Sequence, residues 1–292
     1  MGRTFGKGFN FGFQPLILCS MLPELQCLTQ AALNLGYAYR THDRNGNLLT
    51  VEIGERKYLF ERNYTPFNTE TEARICLDKE HCYQLLQGVV PMPKTLGFFD
   101  PKQAAQYNAY KHQASLDQVL DTLDREFRYP LIIKRNRGAL ASQVHWVQDA
   151  PEAGEALRQI FNQQSKEYDY VALAQEFIPT SREFRVVCFR GQLLLAYERF
   201  AGQRYFKAAY WQQPEGRSIP VDEPDLLAEL QAFVQPVFAR FPIAWVGIDL
   251  IQSTSGKWYL LELNSGPRFQ HYIQHNGPET VVAMYQKLLS HL

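Results

Sequence analysis

Apolar residues recur along this chain in two ways, at helical spacing in some segments and in short runs typical of strands in others. The first third of the chain predicts a small α/β unit. It starts with a buried strand at 16–20, a helix at 23–35 that ends at Gly36, and a hairpin whose strands flank residues 54–55. A further helix is predicted at 71–86, ahead of two prolines.

The remaining two thirds of the chain predict alternating strands and helices, with most of the strands toward the end. The predicted helices are 116–126, 151–163, 225–238 and 278–289, and the predicted strands are 95–98, 129–134, 144–147, 171–177, 183–189, 193–200, 245–251 and 258–263. The chain contains no internal repeat. These elements predict an α/β (α+β) protein of three parts, residues 1–95, 96–173 and 174–292.

The last two predicted strands form a hairpin that places two carboxylates next to each other. A Ser/Gly turn joins the two apolar runs. If the turn is centred between residues 255 and 256, the opposed pairs are Asp249 with Glu262, Ile248 with Leu263, and Leu250 with Leu261.

Alternation along these strands puts Asp249, Glu262 and Asn264 on one face of the hairpin. Two carboxylates directly opposite each other repel by up to about 1 kcal/mol, so the pair needs a compensating partner. Two carboxylates and an amide oxygen are ligands that Mg²⁺ prefers. The alternative is that the three residues form the solvent-facing polar side of an amphipathic hairpin.

Composition argues against several classes of function. The 30 Lys and Arg residues balance the 30 Asp and Glu residues, so no net charge draws the protein to nucleic acid or to an anionic membrane. No apolar run approaches the ~20 residues of a membrane span, and the start of the chain lacks the apolar stretch of a signal peptide. The five cysteines form no Cys-x-x-Cys pair and are expected as buried thiols. These features predict a cytoplasmic protein without a nucleic-acid or membrane partner.

The hairpin motif and five further motifs carry a resemblance to a known family. VGIDL at 246–250 followed by LELNSGP at 261–267 resembles the metal-binding end of the ATP-grasp superfamily. The further matches follow in the family's order: Asp78-Lys79 at the start of a helix, YPLIIK at 129–134, AQEFI at 174–178, REFRV at 182–186, and Glu198-Arg199. YLFER at 58–62 and PFN at 66–68 add to the resemblance, and the matches together cover roughly residues 50 to 275.

The resemblance implies a nucleotide site and names the residues that would form it. Lys79 and Lys134 would reach the phosphates of ATP, and Glu183 would bond the ribose. The segment of Gln175, Glu176, Phe177 and Ile178 would bind adenine through its backbone.

The resemblance also implies a metal site and a catalytic pair. Asp249, Glu262 and Asn264 would hold two Mg²⁺ ions, with Mn²⁺ as a substitute. Arg185 and Arg199 would meet the γ-phosphate or the acyl phosphate.

In family terms, residues 1–95 resemble the domain that precedes the ATP-grasp, and 96–173 and 174–292 resemble the two α+β subdomains that grip ATP between them. The nearest branch contains cyanophycin synthetases, bifunctional glutathione synthetases and ribosomal-protein glutamate ligases. The implied function is an ADP-forming ligase that joins a carboxylate to an amine through an acyl phosphate, on amino acids or a peptide. The resemblance also implies a homodimer, which is common in the family.

Two departures from the family pattern keep alternatives open. The phosphate-covering loop at 135–143 holds one glycine, Gly138, where the family's loop is glycine-rich. Arg268 stands where a glycine is expected, beside the metal ligands, where a substrate carboxylate could dock. The alternatives are a catalytically weak or silent Mg-ATP-binding protein, an ATP-grasp kinase or thioester-forming ligase, and an α/β binding module without a nucleotide.

Overall fold

A computed structural model describes residues 21–138, 141–202 and 212–292. The described chain forms three antiparallel sheets with helices packed on them, which confirms the predicted mixture of α and β structure. None of the described helices is long and apolar enough to span a membrane. The predicted strand at 16–20 lies outside the described residues.

The first sheet contains three strands and follows the first helix. These elements are α1 (Pro23–Asn34), β1 (Ala38–Thr41), β2 (Leu48–Ile53) and β3 (Arg56–Glu61), and the strands pair in the order β1-β2-β3. Gly36 ends the helix with φ +76°, the left-handed conformation that glycine adopts without strain. The predicted helix and hairpin are confirmed, whereas β1 was not predicted because all four of its residues are exposed and show no apolar alternation.

The helix predicted at 71–86 is two helices, α2 (Glu70–Leu77) and α3 (Lys79–Leu86). Asp78 separates them in an extended conformation, with φ −102° and ψ 99°. Its carboxylate accepts a hydrogen bond from the backbone N–H of His81 at 3.0 Å, so it caps α3. The break places Lys79 at the first position of the second helix.

The second sheet has four strands in the order β4-β7-β5-β6. Val119 and Leu123 of α4 and Leu157 of α5 bury their side chains with residues of this sheet in one core. In chain order the elements are β4 (Thr95–Phe99), a 3₁₀ helix (Ala105–Tyr110), α4 (Leu116–Glu126), β5 (Leu131–Arg135), β6 (Val144–Val147), α5 (Ala150–Ile160) and β7 (Val171–Glu176).

The third sheet has five strands in the order β10-β9-β8-β11-β12. The strand β10 and the helix α7 were not predicted, and the other elements lie within a few residues of their predicted bounds. In chain order they are β8 (Thr180–Phe189), β9 (Gln192–Phe200), β10 (Arg217–Pro220), α6 (Pro224–Arg240), β11 (Trp245–Ser253), β12 (Trp258–Asn264), α7 (Gln270–Asn276) and α8 (Glu279–Ser290).

The register of the late hairpin is confirmed at two positions and wrong at the third. Asp249 lies opposite Glu262, and the pair before it is also as predicted. Leu250, however, pairs with Leu260 rather than Leu261, because the register shifts between Asp249 and Leu250. Such a bulge gives one strand an extra residue, and Leu261 consequently lies in the wall of the cavity described below.

The hydrophobic cores join distant parts of the chain. Leu28 of α1 and Leu49 of β2 share a core with Phe189 of β8 and Leu288 of α8. A second core brings Leu86 of α3 onto the five-stranded sheet. The first part of the chain is therefore packed against the last, although the predicted boundaries after residues 95 and 173 stay predictions.

Asn68 fastens the first part of the chain to the start of β11. Its side-chain oxygen accepts from the backbone N–H of Trp245 at 2.8 Å, and its amide donates to the carbonyl of the same residue at 2.6 Å. One side chain thus continues the hydrogen bonding of the strand.

Replacement of Asn68 by alanine is expected to lower the free energy of unfolding by about 1–3 kcal/mol, because it leaves both backbone groups of Trp245 without this partner. Urea denaturation followed by circular dichroism measures the loss. The matched control is Asn34→Ala, at the exposed end of α1, which is expected to change stability by less than about 0.5 kcal/mol. Equal losses in the two variants would contradict the role given to Asn68.

Candidate active site

A cavity of about 670 Å³ is lined by residues of both larger sheets, of α3 and of the loop after β3. All twelve side chains that the sequence singled out contribute to its wall. They are Lys79, Lys134, Gln175, Glu176, Phe177, Ile178, Glu183, Arg185, Arg199, Asp249, Glu262 and Asn264. The structure therefore brings together residues that lie up to 185 positions apart in the sequence.

Lys79 reaches the cavity from the start of α3. Its ammonium group donates to the carbonyl of Gly138 at 2.5 Å and to that of Asn136 at 3.3 Å, and it lies 3.7 Å from the carboxylate of Glu262. The carbonyls come from the segment after β5, and Glu262 lies on β12. The ammonium group of Lys79 consequently contacts both the segment after β5 and the strand β12.

Lys134 projects from β5 and is almost completely buried. Its ammonium group donates to the side chain of Gln175 at 2.9 Å, which in turn donates to the hydroxyl of Thr95 at 2.9 Å. Burial lowers the pKa of Lys134 to about 8, although the nearby carboxylate of Glu262 opposes the change. The charged form of Lys134 is therefore less favoured than that of an exposed lysine, and an approaching anion would favour it again.

The connection between the two larger sheets also forms part of the cavity wall. Phe177 and Ile178 follow the last residue of β7 and precede β8. The backbone N–H of Glu176, the last residue of β7, donates to the carbonyl of Lys94 at 2.8 Å. Since Glu176 is already held in the sheet, the segment that leaves the ladder is Phe177 and Ile178.

A buried cluster of four charges lies in the five-stranded sheet. Arg185 is the cross-strand neighbour of Asp249, and its guanidinium binds both carboxylate oxygens, one of them at 2.8 Å. Arg199 donates to Asp249 at 2.9 Å and to Glu183 at 3.1 Å. Asp249 and Arg185 are 4% and 6% exposed, so their charges depend on each other rather than on water.

The cluster sets the ionisation of its two acids in opposite directions. Burial opposes the ionisation of Asp249, but Arg185 and Arg199 outweigh it and lower the pKa of this carboxyl to about 2. Burial raises the pKa of Glu183, because the nearby charge of Arg199 does not fully offset the effect of burial. Asp249 is therefore held as a carboxylate by the two arginines.

The donor set at this end of the cavity fits a hard cation in part. Glu262 and Asn264 contact each other at 3.4 Å and offer carboxylate and amide oxygens. Both oxygens of Asp249 accept from arginine, and these three hydrogen bonds leave about one of the carboxylate's roughly four acceptor positions for a cation. Among the described residues no three His, Cys, Asp or Glu side chains form a ready metal cluster.

The glycine-poor loop adopts backbone conformations that glycine favours. Ala141 and Gln143 have φ values of +54° and +52°, which side chains with a Cβ rarely adopt. Arg135 lines the cavity and donates to the carbonyl of Glu167 at 2.9 Å. Arg137 of the same loop instead binds Asp78 at 3.2 Å. Of these two arginines, Arg135 is the one that lines the cavity.

Several residues of the cavity wall were not assigned a role from the sequence. They are Arg62, Asn63, Tyr64, Tyr197, Gln270, His271 and Tyr272, and they accompany Arg268, the departure from the family pattern described above. No local motif marks the first three, which lie in the loop after β3. Their proximity depends on the long-range contact between Asn63 and Gly266, at 2.9 Å.

Comparison of whole structures identifies the fold. The chain resembles a D-alanine–D-alanine ligase from Bacillus anthracis complexed with ATP, with a TM-score of 0.54, 18% identity, and 76% of this chain and 66% of that chain covered. The VanG D-Ala:D-Ser ligase from Enterococcus faecalis has a TM-score of 0.57 and 15% identity, with 76% of this chain and 63% of that chain covered. A bifunctional glutathione synthetase from Pasteurella multocida has a TM-score of 0.52 and 12% identity, with 92% of this chain and 44% of that chain covered. The chain shares the fold of these structures, which confirms the ATP-grasp fold class that the sequence motifs predicted.

Part of the chain is also similar in sequence to a curated protein. The D-alanine–D-alanine ligase of Halorhodospira halophila is 28% identical over 149 residues, which are 50% of this chain and 47% of that protein. The match thus spans about half the length of that relative. No family model matches the chain.

The buried cluster predicts different costs for removing its central charge and the neighbouring one. Asp249→Asn is expected to lower the free energy of unfolding by about 3 kcal/mol or more, because it leaves two buried guanidinium groups without their anion. Glu262→Gln, whose side chain is 29% exposed and 3.7 Å from Lys79, is expected to lose about 1 kcal/mol or less. Urea denaturation at pH 7 measures both, and equal losses would argue against an Asp249-centred cluster.

Proposed function

We propose that this protein is an ATP-dependent carboxylate–amine ligase that forms an amide or peptide bond on amino acids or a peptide and releases ADP and phosphate. The observation that carries the proposal is the convergence of all twelve motif residues on one cavity of an ATP-grasp fold. The cavity supplies lysines, arginines and oxygen ligands at separate places, as phosphoryl transfer requires.

The nucleotide lies along the junction of the two larger sheets. Lys79 and Lys134 bind the phosphates, and the low pKa of Lys134 makes its charge responsive to an arriving polyanion. The segment of Gln175, Glu176, Phe177 and Ile178 binds adenine through its backbone, which leaves β7 after Glu176. Glu183 binds the ribose after it exchanges its contact with Arg199.

Asp249, Glu262 and Asn264 hold two Mg²⁺ ions, or Mn²⁺ as a substitute. Bound metal neutralises charge on the phosphates of the nucleotide. The chemistry of the three oxygen donors supports this assignment, and so does the weak pairing of Glu262, which leaves its carboxylate accessible. Release of Arg199 from Asp249 frees one acceptor position on Oδ2, which still accepts from Arg185.

Arg185 and Arg199 orient the reacting groups. A substrate carboxylate oxygen attacks the γ-phosphorus of ATP, and the bond to the bridging oxygen breaks as ADP leaves. A substrate amine then attacks the acyl carbon, phosphate leaves with the oxygen that it received, and the amine nitrogen loses a proton. The two guanidinium groups stabilise the negative charge that moves between these oxygens.

We further propose the division of labour given by the family, with residues 1–95 shaping the substrate pocket and residues 96–173 and 174–292 gripping ATP. A homodimer in the cytoplasm is proposed on the family resemblance and the balanced charge of the chain.

A catalytically silent Mg-ATP-binding protein is the second candidate. Two observations favour it: Asp249 is bound by two arginines, and Ala141 and Gln143 of the phosphate loop, not glycines, have positive φ values. An ATP-grasp kinase or a thioester-forming ligase would be distinguished by its product.

The deciding experiment measures phosphate release from Mg-ATP with amino acids and dipeptides, singly and in pairs, and weighs the products by mass spectrometry. A ligase releases phosphate only with two substrates and gives a product lighter by one water than their sum. A phosphorylated product identifies a kinase. Tight ATP binding without release under any pair supports the silent nucleotide-binding protein.

Glu262→Gln is expected to lower turnover by about a hundredfold or more, because it removes a metal-binding charge next to the transferred phosphoryl group. The variant is expected to lose only about 1 kcal/mol of stability or less, so it stays folded and its loss of activity is not caused by unfolding. Phosphate release at saturating Mg²⁺ is the measurement, and Glu155→Gln on the exposed face of α5 is the matched control. Normal turnover of Glu262→Gln would remove Glu262 from the site.

Binding of ATP above the pKa of Lys134, about 8, is expected to take up as much as one proton, because the polyanion favours the charged lysine. Below that pH the lysine is already charged and uptake at this group disappears. Calorimetric titrations in two buffers with different heats of ionisation measure the uptake. Lys134→Arg stays charged throughout and is expected to abolish it, and an unchanged uptake in this variant would assign the proton to another group.

A further inference from the structure

The cavity wall carries more cations than the nucleotide-binding groups use. Seven Lys and Arg side chains line it, against four Asp and Glu side chains. Six of the seven make a hydrogen bond or an ion pair, as described above for Lys79, Lys134, Arg135, Arg185 and Arg199, and Arg62 lies 3.3 Å from Glu61. Arg268 is the exception, since it forms no hydrogen bond or ion pair with any residue in the described parts of the chain.

The backbone that carries Arg268 is fixed on its N-terminal side. The amide of Asn63 donates to the carbonyl of Gly266 at 2.9 Å, and the contact is so close that a Cβ on Gly266 would lie 2.4 Å from the Asn63 amide nitrogen. The next residue, Pro267, packs on β11, where a Cβ on Gly247 would lie 2.7 Å from it.

The backbone is also fixed on the C-terminal side of Arg268. The buried carboxylate of Glu24, on α1, accepts from the backbone N–H of Phe269 at 2.8 Å and from that of Gln270 at 3.2 Å. Arg268 is therefore an exposed, unpaired guanidinium on a rigid segment. Because the backbone is held before binding, only the side chain of Arg268 has to be ordered when a ligand arrives, which lowers the entropy cost.

The position of Arg268 separates it from the reacting groups. It follows the metal-ligand candidate Asn264 by four residues and shares its part of the wall with His271 and the loop of Arg62. Arg185 and Arg199, by contrast, lie within the cluster around Asp249. A guanidinium binds a carboxylate through two parallel hydrogen bonds, which suits a substrate anion that stays unreacted.

We propose that Arg268 binds a substrate carboxylate other than the one that is phosphorylated, so that the protein selects substrates with an additional free carboxylate. The inference rests on the proposed ligase function and adds the substrate class. The additional carboxylate belongs either to an acceptor amino acid, beside its amine, or to a dicarboxylic donor, and the chemistry of recognition is the same.

The test measures binding by calorimetry to protein loaded with Mg²⁺ and a non-hydrolysable ATP analogue. The probes are free amino acids and dicarboxylic acids, each compared with the amide that replaces its unreacted carboxylate. Wild-type protein is expected to prefer acid over amide by about ten- to hundredfold. Arg268→Ala is expected to abolish this preference by weakening the acid alone, and Arg268→Lys to restore part of it because it keeps the charge but not the paired hydrogen bonds.

Arg74→Ala is the matched control. It removes an arginine of α2 whose side chain is 74% exposed and paired with Glu70, and it is expected to leave the preference unchanged. If the preference for acid over amide depends on Arg268 among amino acids, the bound carboxylate belongs to the acceptor. If it depends on Arg268 among dicarboxylic acids without an amine, the bound carboxylate belongs to the donor.

Equal binding of acid and amide by wild-type protein, or a preference that survives in Arg268→Ala, would overturn the inference. Neither result depends on turnover. The ligase proposal fails separately, when no pair of substrates gives a product lighter by one water than their sum, and the comparison of acid with amide still decides the role of Arg268.

Discussion

The interaction on which the site and the largest sheet both depend is the pairing of Asp249 with Arg185 and Arg199. Ions of this kind are costly to bury, and only close pairing offsets the loss of water. The pairing in turn requires that β8, β9 and β11 meet in one register, because Asp249 must lie beside Arg185 and opposite Glu262 at once. A slip of one residue would turn the charges into the apolar core, so the register is tied to the functional cavity.

The sequence predicted the parts of this arrangement that are local. A turn and two alternating strands were sufficient to place Asp249 opposite Glu262. Nothing local indicated that Arg185, 64 residues earlier, would be the neighbour on the other side. The family motif assigned Asp249 to metal and Arg185 to phosphate without indicating that the two bind each other first. Strand order, which decides such contacts, is set by packing of the whole sheet.

The features that the sequence did not predict have two physical causes. Some depend on the conformation of a single residue, and others depend on a partner that is distant in the sequence. Asp78 interrupts a continuous helical pattern because its carboxylate caps the second helix better than it continues the first. The bulge before Leu261 changes the pairing without changing the alternation of residue types. Asn63 and Glu24 are ordinary polar residues in sequence, and their roles arise from contacts more than 200 residues away.

The charges of the cavity are divided among parts of the chain that cannot act alone. Lys134 belongs to the four-stranded sheet and Asp249 to the five-stranded sheet, and Lys79, from the first part of the chain, contacts the segment after β5 and the strand β12. The first part of the chain also fixes the segment of Arg268, through Asn63 and Glu24. Changes at Asn63 or Glu24 can consequently alter which substrate is bound while the residues proposed for ATP and metal stay in place. Substrate selection can therefore change separately from the chemistry, because the side chains that hold the backbone of Arg268 are not those that contact ATP or metal.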